Sequence, residues 1–290
     1  MYGNKEITAL FNLIDDPDEE VFGVVSDRII NYGKGIIPNL EDLWENTISE
    51  EIQNRIELII HKLHYTDLVE EFKIWKNSLH RDLLTGALLT AKYRYPDLQT
   101  DQVYSDIEKL RKNIWLELNN FLTPLEQINV ISSIIFNYFN LKGSEINYSL
   151  PDEFLINKQI ESKKGNAISN EILYLIISDL LDIPIKPINI PNQFIMSYFK
   201  SDIDFENDEN IIYTSGFFVD PMTGQIFTQR DLEAYFERIQ TTSDPSFFEP
   251  KDNLTVIRIL IEEFSMCFND EANNNKREEL MQIAESLRES

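Results

Sequence analysis

The sequence predicts an α+β protein that is mostly helical: a long run of helices, then a small antiparallel sheet, then a helical hairpin at the C-terminal end. Three observations lead there. Glycine is scarce, with 9 in 290 residues. Up to about residue 184 the apolar residues recur three and four apart, the spacing of one helix face. Between Ile185 and Phe227 the pattern changes to alternation and short apolar runs, which is how strands read.

The helices are marked by their starts. Asp16-Pro17-Asp18-Glu19 offers a capping side chain, a proline at the first helical position and carboxylates where the helix dipole favours them. Thr123-Pro124-Leu125-Glu126 reads as a capping box. Behind such starts run apolar stripes, for example Val103, Ile107, Leu110, Ile114 and Leu118. The expected helices lie at about 5–14, 17–32, 40–48, 50–62, 66–77, 81–92, 100–121 and 124–139, the first four as stacked pairs. A polar stretch follows, with a short helix near Glu153–Glu161. A strongly apolar helix is expected at about 170–182, capped by Ser169. The strands are IKPINI, QFIMSYF, NIIYTSGFFVD and GQIF. Thr228 and Asp231 then cap a helix at about 229–239, and two last helices cover about 253–268 and 275–289.

Composition limits function. Apolar residues make up 42 % and charged residues 26 %, an ordinary globular balance, but 26 basic against 50 acidic residues leave a net charge of −24. Such a surface repels phosphate backbones and anionic membranes, so neither nucleic acid nor a membrane is an expected partner. The start of the chain has no apolar core of a secretory leader, and no run of about 18 apolar residues occurs; a cytoplasmic location is expected. Cys267, the single cysteine, permits no internal disulfide and reads as a small buried hydrophobe. There is no GxxxxGK[ST], GxGxxG or GxSxG, and no cofactor is expected.

Two metal readings are weak. Asp202-x-Asp204-x-Glu206-x-Asp208 lacks the glycine and the terminal bidentate acid of a calcium loop, and reads as a solvated hairpin loop. His61 and His64 share a helix face, but no third ligand stands near in sequence. Trp44, Trp75 and Trp115 read as core residues on amphipathic helices.

The informative stretch is 163–220. Residues 161–200 carry four basic and four acidic residues, whereas the chain average predicts about −3 for that length, so the segment reads as interior. A polar residue opening a buried helix, followed by antiparallel strands, is the layout of thiol chemistry, with a nucleophile at a helix N-terminus and a base and acid on neighbouring strands.

Here the sequence resembles a known family. Lys164-Gly165-Asn166-Ala167-Ile168-Ser169, the helix, Ile183-Pro184, Pro191-Asn192-Gln193-Phe194 and Val219-Asp220-Pro221-Met222-Thr223-Gly224 follow one another as in the transglutaminase-like superfamily. The branch resembled is the bacterial Sir B (invasion regulator) branch, whose pattern runs roughly GNPIS, a helix, G(L/I)P, PGHF and DPFNGG. LLTGALLTAKYRYPDL (83–98) is similar to that family's helix ending in a Pro-Asp-Leu turn. The first residues resemble a HEAT-like repeat, and the helices after Glu249-Pro250 a tetratricopeptide-like hairpin. The resemblance implies three parts: a HEAT-like helical region over 1–80, a papain/transglutaminase-like core over 81–240, and a C-terminal helical hairpin over 241–290.

It also implies a triad, and the triad is degenerate. The nucleophile position holds Ser169, the histidine position Gln193 and the acid position Asp220. A serine hydroxyl does not ionise at neutral pH without a base, and an amide accepts no proton; losing the base removes orders of magnitude of rate. The expected roles are structural: Ser169 as an N-cap, Gln193 hydrogen-bonded to Asp220, and Asp220-Pro221 opening a turn that ends at Gly224. The implied function is non-catalytic, through a protein partner with a basic surface. The alternative is an amide hydrolase or acyltransferase using Ser169 with Asp220 and an unidentified base, for which Lys163 and Lys164 are the nearest candidates.

Overall fold

The structure, a computed structural model, describes residues 4–199 and 215–288. The acidic stretch 202–208 and the first part of the third expected strand lie outside the described residues. The chain divides into two compact units, Met1–Ile74 and Trp75–Ser290.

The first unit holds α1 (Asn4–Phe11), α2 (Glu19–Ile30), a short 3₁₀ turn, α3 (Ile37–Asn46) and most of α4 (Glu50–Lys76). Asp18 caps α2, accepting from the Glu20 amide. Ile14, Ile29, Leu40, Ile56 and Ile59 are fully buried and form its core. Arg55 ties the α1–α2 connection to α4: it donates to the carbonyl oxygens of Ile14 (2.9 Å) and Asp16 (2.6 Å) and to Glu19 Oε1 (2.7 Å). Two helices were expected where α4 runs unbroken. The intervening His64-Tyr65-Thr66 holds no glycine or proline, the apolar stripe continues through Leu63, Leu68 and Phe72, and the Thr66 hydroxyl donates back to Lys62 O instead of capping a new start.

The second unit begins with α5 (Leu83–Arg94), α6 (Thr100–Glu117) and α7 (Pro124–Ser132), which runs on as a π-helical turn, Ser133–Tyr138. Thr123 and Glu126 form the expected capping box. Next come β1 (Lys142–Ser144), a 3₁₀ turn (Pro151–Phe154), α8 (Ile156–Ser162), β2 (Lys164–Asn166) and α9 (Ala167–Asp179). Strands β3 (Ile185–Ile188), β4 (Ile195–Phe199), β5 (Ser215–Val219) and β6 (Ile226–Phe227) make one antiparallel sheet in sequence order. Helices α10 (Gln229–Arg238), α11 (Asn253–Ser265) and α12 (Asn274–Ser286) complete the unit. The α+β, mostly helical class is as the sequence predicts.

The pair β1–β2 was not foreseen. It is parallel, with Gly143 opposite Gly165, and three residues per strand are too few to show a period. Trp75 is buried, but Trp115 is 60 % exposed: it lies beside the buried stripe Val103, Ile107, Leu110 and Ile114 of α6, not on it. Trp44 is likewise partly exposed and donates from its indole nitrogen to Glu57. Cys267 is half-buried in a 3₁₀ turn after α11, where burial pushes its thiol up to about 12.

Candidate functional site

The site is organised by α9. Its sequence is apolar on every side, and Ala167 to Ser178 are all buried, as an all-round apolar helix requires. Its start lies three residues earlier than predicted because Asn166, not Ser169, is the N-cap. Asn166 ends β2 in extended backbone, and its Oδ1 accepts from the amides of Ile168 (3.1 Å) and Ser169 (3.0 Å). Ser169 therefore sits in the first turn and closes a capping box: its Oγ accepts from the Asn166 amide at 3.0 Å.

The Ser169 hydroxyl donates to the carbonyl oxygen of Glu153, 2.7 Å away in the 3₁₀ turn before α8. The side chain is 2 % exposed. A hydroxyl that donates to a carbonyl and accepts from an amide has its proton turned away from any base and a lone pair already engaged.

Around it lies a neutral, buried polar cluster. Gln159, Asn166 and Asn170 are all at most 1 % exposed, and Gln159 Nε2 donates to Asn170 Oδ1 at 2.7 Å. Gly165 lets this cluster close up: a Cβ there would meet Asn170 Oδ1, Ser169 Oγ at 2.6 Å and Gln159 Nε2 at 2.7 Å. Gln159 Oε1, Asn166 Nδ2 and Asn170 Nδ2 are left without hydrogen-bond partners among the described residues, which holds this network below full satisfaction.

Asp220 is held by its own turn. Its carboxylate accepts from the Met222 amide (2.9 Å) and the Thr223 hydroxyl (2.6 Å), and its carbonyl accepts from the Gly224 amide (2.8 Å). Gly224 has φ of +71°, the left-handed conformation that glycine adopts without penalty, and a Cβ there would strike Ser132 and Phe136 at the π-helical turn. The same turn lies against β1, since a Cβ on Gly143 would meet Met222 O at 2.6 Å. Thus the Asp220 turn packs on β1, β1 pairs with β2, and β2 delivers Ser169.

Gln193 takes no part in this chain of contacts. Its side chain is exposed, its amide donates to Ile190 O at 3.1 Å, and it lines a shallow cavity with Gln225, Ile226 and Tyr235. The hydrogen bond expected between Gln193 and Asp220 is not made among the described residues; the Asp220 carboxylate is satisfied within its own turn, which leaves no geometric demand for the amide.

Neither candidate lysine reaches Ser169. Lys163 has positive φ at the end of α8, and its ammonium sits 3.4 Å from the centre of the Phe139 ring, where burial lowers its pKa. Lys164 is exposed on β2, opposite Lys142. His61 and His64 lie on α4, and among the described residues no three His, Cys, Asp or Glu side chains converge as a metal site.

One ionisable group of α9 escaped sequence reasoning. Glu171 is 6 % exposed, and burial pushes its carboxyl up to about 8, against a smaller opposite pull from Lys251. An acid in the interior of a mainly apolar helix was the available signal, the other acid of α9, Asp179, being exposed at its end.

The sequence pattern of the transglutaminase-like superfamily matches residues 101–262, more than half of the chain, and the chain belongs to that superfamily. Its relatives place it in the Sir B branch. Protein SirB1 of Salmonella typhimurium is 23 % identical over 208 residues, 71 % of this chain and 72 % of that protein. The UPF0162 protein YchA of Escherichia coli K12 is 22 % identical over the same length and shares. A UPF0162 protein of Xylella fastidiosa is 27 % identical over 132 residues, 42 % of this chain and 46 % of its own. No solved structure matches the chain. Among the described residues no helix is long and apolar enough to cross a membrane.

Proposed function

We propose that this chain is a non-catalytic member of the superfamily that acts by protein interaction. The observation that carries the reading is the Ser169 hydroxyl, which donates to Glu153 O at 2.7 Å and accepts from the Asn166 amide in a buried, neutral surround. Nucleophilic use of that oxygen needs a base within hydrogen-bond reach, about 2.6–3.2 Å, and here the positions that matched a base and an orienting acid are an exposed amide and a carboxylate engaged in its own turn.

Interaction is supported by surface chemistry. Trp115, Leu116, Phe121 and Tyr138 are 60 to 96 % exposed, and Leu116 and Tyr138 border a groove of about 550 Å³ between α6 and α7. Exposed aromatic surface of this kind marks contact sites. With a net charge of −24 the partner that fits is a protein offering an apolar segment flanked by basic residues.

The test is a fluorophosphonate probe on the wild type and Ser169→Ala. Neither protein is expected to be labelled, and Ser169→Ala should lose only about 1–2 kcal/mol of stability, a capping bond and an unpaired carbonyl. Labelling of the wild type that disappears in Ser169→Ala would establish the amide hydrolase or acyltransferase reading instead.

A further inference from the structure

A second cleft, independent of Ser169, combines cations from three distant segments of the second unit. It has a volume of about 700 Å³ and is lined by Arg81, Lys186, Lys251, Asp252 and Asn253, with His80 at its rim. The size is that of a small-molecule site.

Tertiary contacts build it. The chain entering α11 runs along the free edge of β3: the Asn189 amide donates to Phe247 O and the Lys251 amide to Pro187 O, both at 2.9 Å. This sets Lys251 beside Lys186 of β3. The turn between α4 and α5 is fastened to the start of α11, where Asn253 Nδ2 donates to Arg81 O at 3.1 Å and Arg81 pairs with Asp252 at 3.5 Å.

The charge there runs against the rest of the molecule. The whole chain has almost two acids for each base, yet among the described residues this cleft is lined by Arg81, Lys186 and Lys251 against one carboxylate, Asp252, with burial lowering the pKa of Lys251. That carboxylate is already engaged, since Asp252 caps α11 by accepting from the Thr255 amide at 2.9 Å while facing Arg81. Among the described residues Lys186 and Lys251 form no ion pair. Glu171, the acid whose charge bears on Lys251, is itself held largely protonated at neutral pH by burial. Cations that outnumber the carboxylates beside them repel one another, and an anion entering the cleft relieves that repulsion.

We propose that this cleft binds a small organic anion bearing two or more negative charges, its phosphate or carboxylate groups held by Lys186, Lys251 and Arg81. Lysine ammoniums serve as point charges for such groups, and the guanidinium adds directional donors. The rest of the protein repels anions, so saturable binding of one has to come from a local site.

The experiment is calorimetric titration of the full chain with inorganic pyrophosphate and, separately, citrate, at constant ionic strength. Saturable binding of at least one is expected, weakened tenfold or more in Lys186→Gln and in Lys251→Met. Pyrophosphate alone binding identifies a phosphate-type ligand, and citrate alone a polycarboxylate. Lys186 is exposed, so Lys186→Gln decides the matter if Lys251→Met does not fold. Absence of saturable binding for both anions, or unchanged affinity in the variants, overturns the proposal.

Discussion

Around Ser169 the polar groups are neutral, buried and turned towards one another, and the hydroxyl is fixed between a carbonyl and an amide. At the entry to α11 the charged groups are mostly cationic, Arg81, Lys186 and Lys251 against Asp252 among the described residues, and they face an open cleft. Helix α9 touches on both, carrying Ser169 in its first turn and, two residues later, Glu171, whose charge bears on Lys251. The difference is between polar groups that bond to one another and charged groups that face solvent. Buried polar groups that bond chiefly to one another serve the fold, whereas charge lining a surface cleft can meet a ligand.

The largest effect that sharpens this comparison comes from Glu171. With a carboxyl at about 8 in the fold and the ordinary 4.5 when unfolded, the folded protein holds a proton that the unfolded chain lacks between those values. Stability therefore falls as pH rises through that window, by up to about 1.4 kcal/mol per pH unit. Glu171→Gln should flatten the curve of unfolding free energy against pH between 5 and 8 and leave the variant more stable than wild type at pH 8. An unchanged slope in urea unfolding would show that Glu171 is ionised in the fold.

Gly165→Ala ranks next. The added methyl meets three polar atoms locked by hydrogen bonds in the Ser169 cluster, and overpacking together with a broken bond should cost about 3 kcal/mol in denaturant unfolding. A loss below about 1 kcal/mol would mean that the cluster is loose and that Ser169 is free to turn.

Gln193→Ala should do least. The side chain is exposed and outside the contacts that join Asp220 to β2, so unfolding free energy should change by no more than about 0.5 kcal/mol. A larger loss would tie Gln193 to the Asp220 turn and erase the distinction between the two regions.

Much of the fold was legible because its signals are local. The capping boxes at Thr123 and Thr228, the Asp220–Gly224 turn and the apolar stripe of α6 each depend on residues within a few positions of one another. The start of α9 was misplaced because two candidate caps, Asn166 and Ser169, stand three apart. The choice followed from β2, which fixes Asn166 in extended backbone and lets its side chain reach both amides. The family motifs were legible in their order, and that order carried the superfamily.

What the sequence determined by itself is the class of fold and the membership in a superfamily, since both are written in spacing and identity along the chain. The tertiary structure alone decided that Ser169 is bonded to Glu153, that Gln193 and Asp220 stay apart in their hydrogen bonding, and that Arg81, Lys186 and Lys251 share one cleft. Those facts join residues from 16 to more than 100 positions apart. Hydrogen bonds and electrostatic fields act through distance in space, so a chain read in order gives the partners but not their meeting.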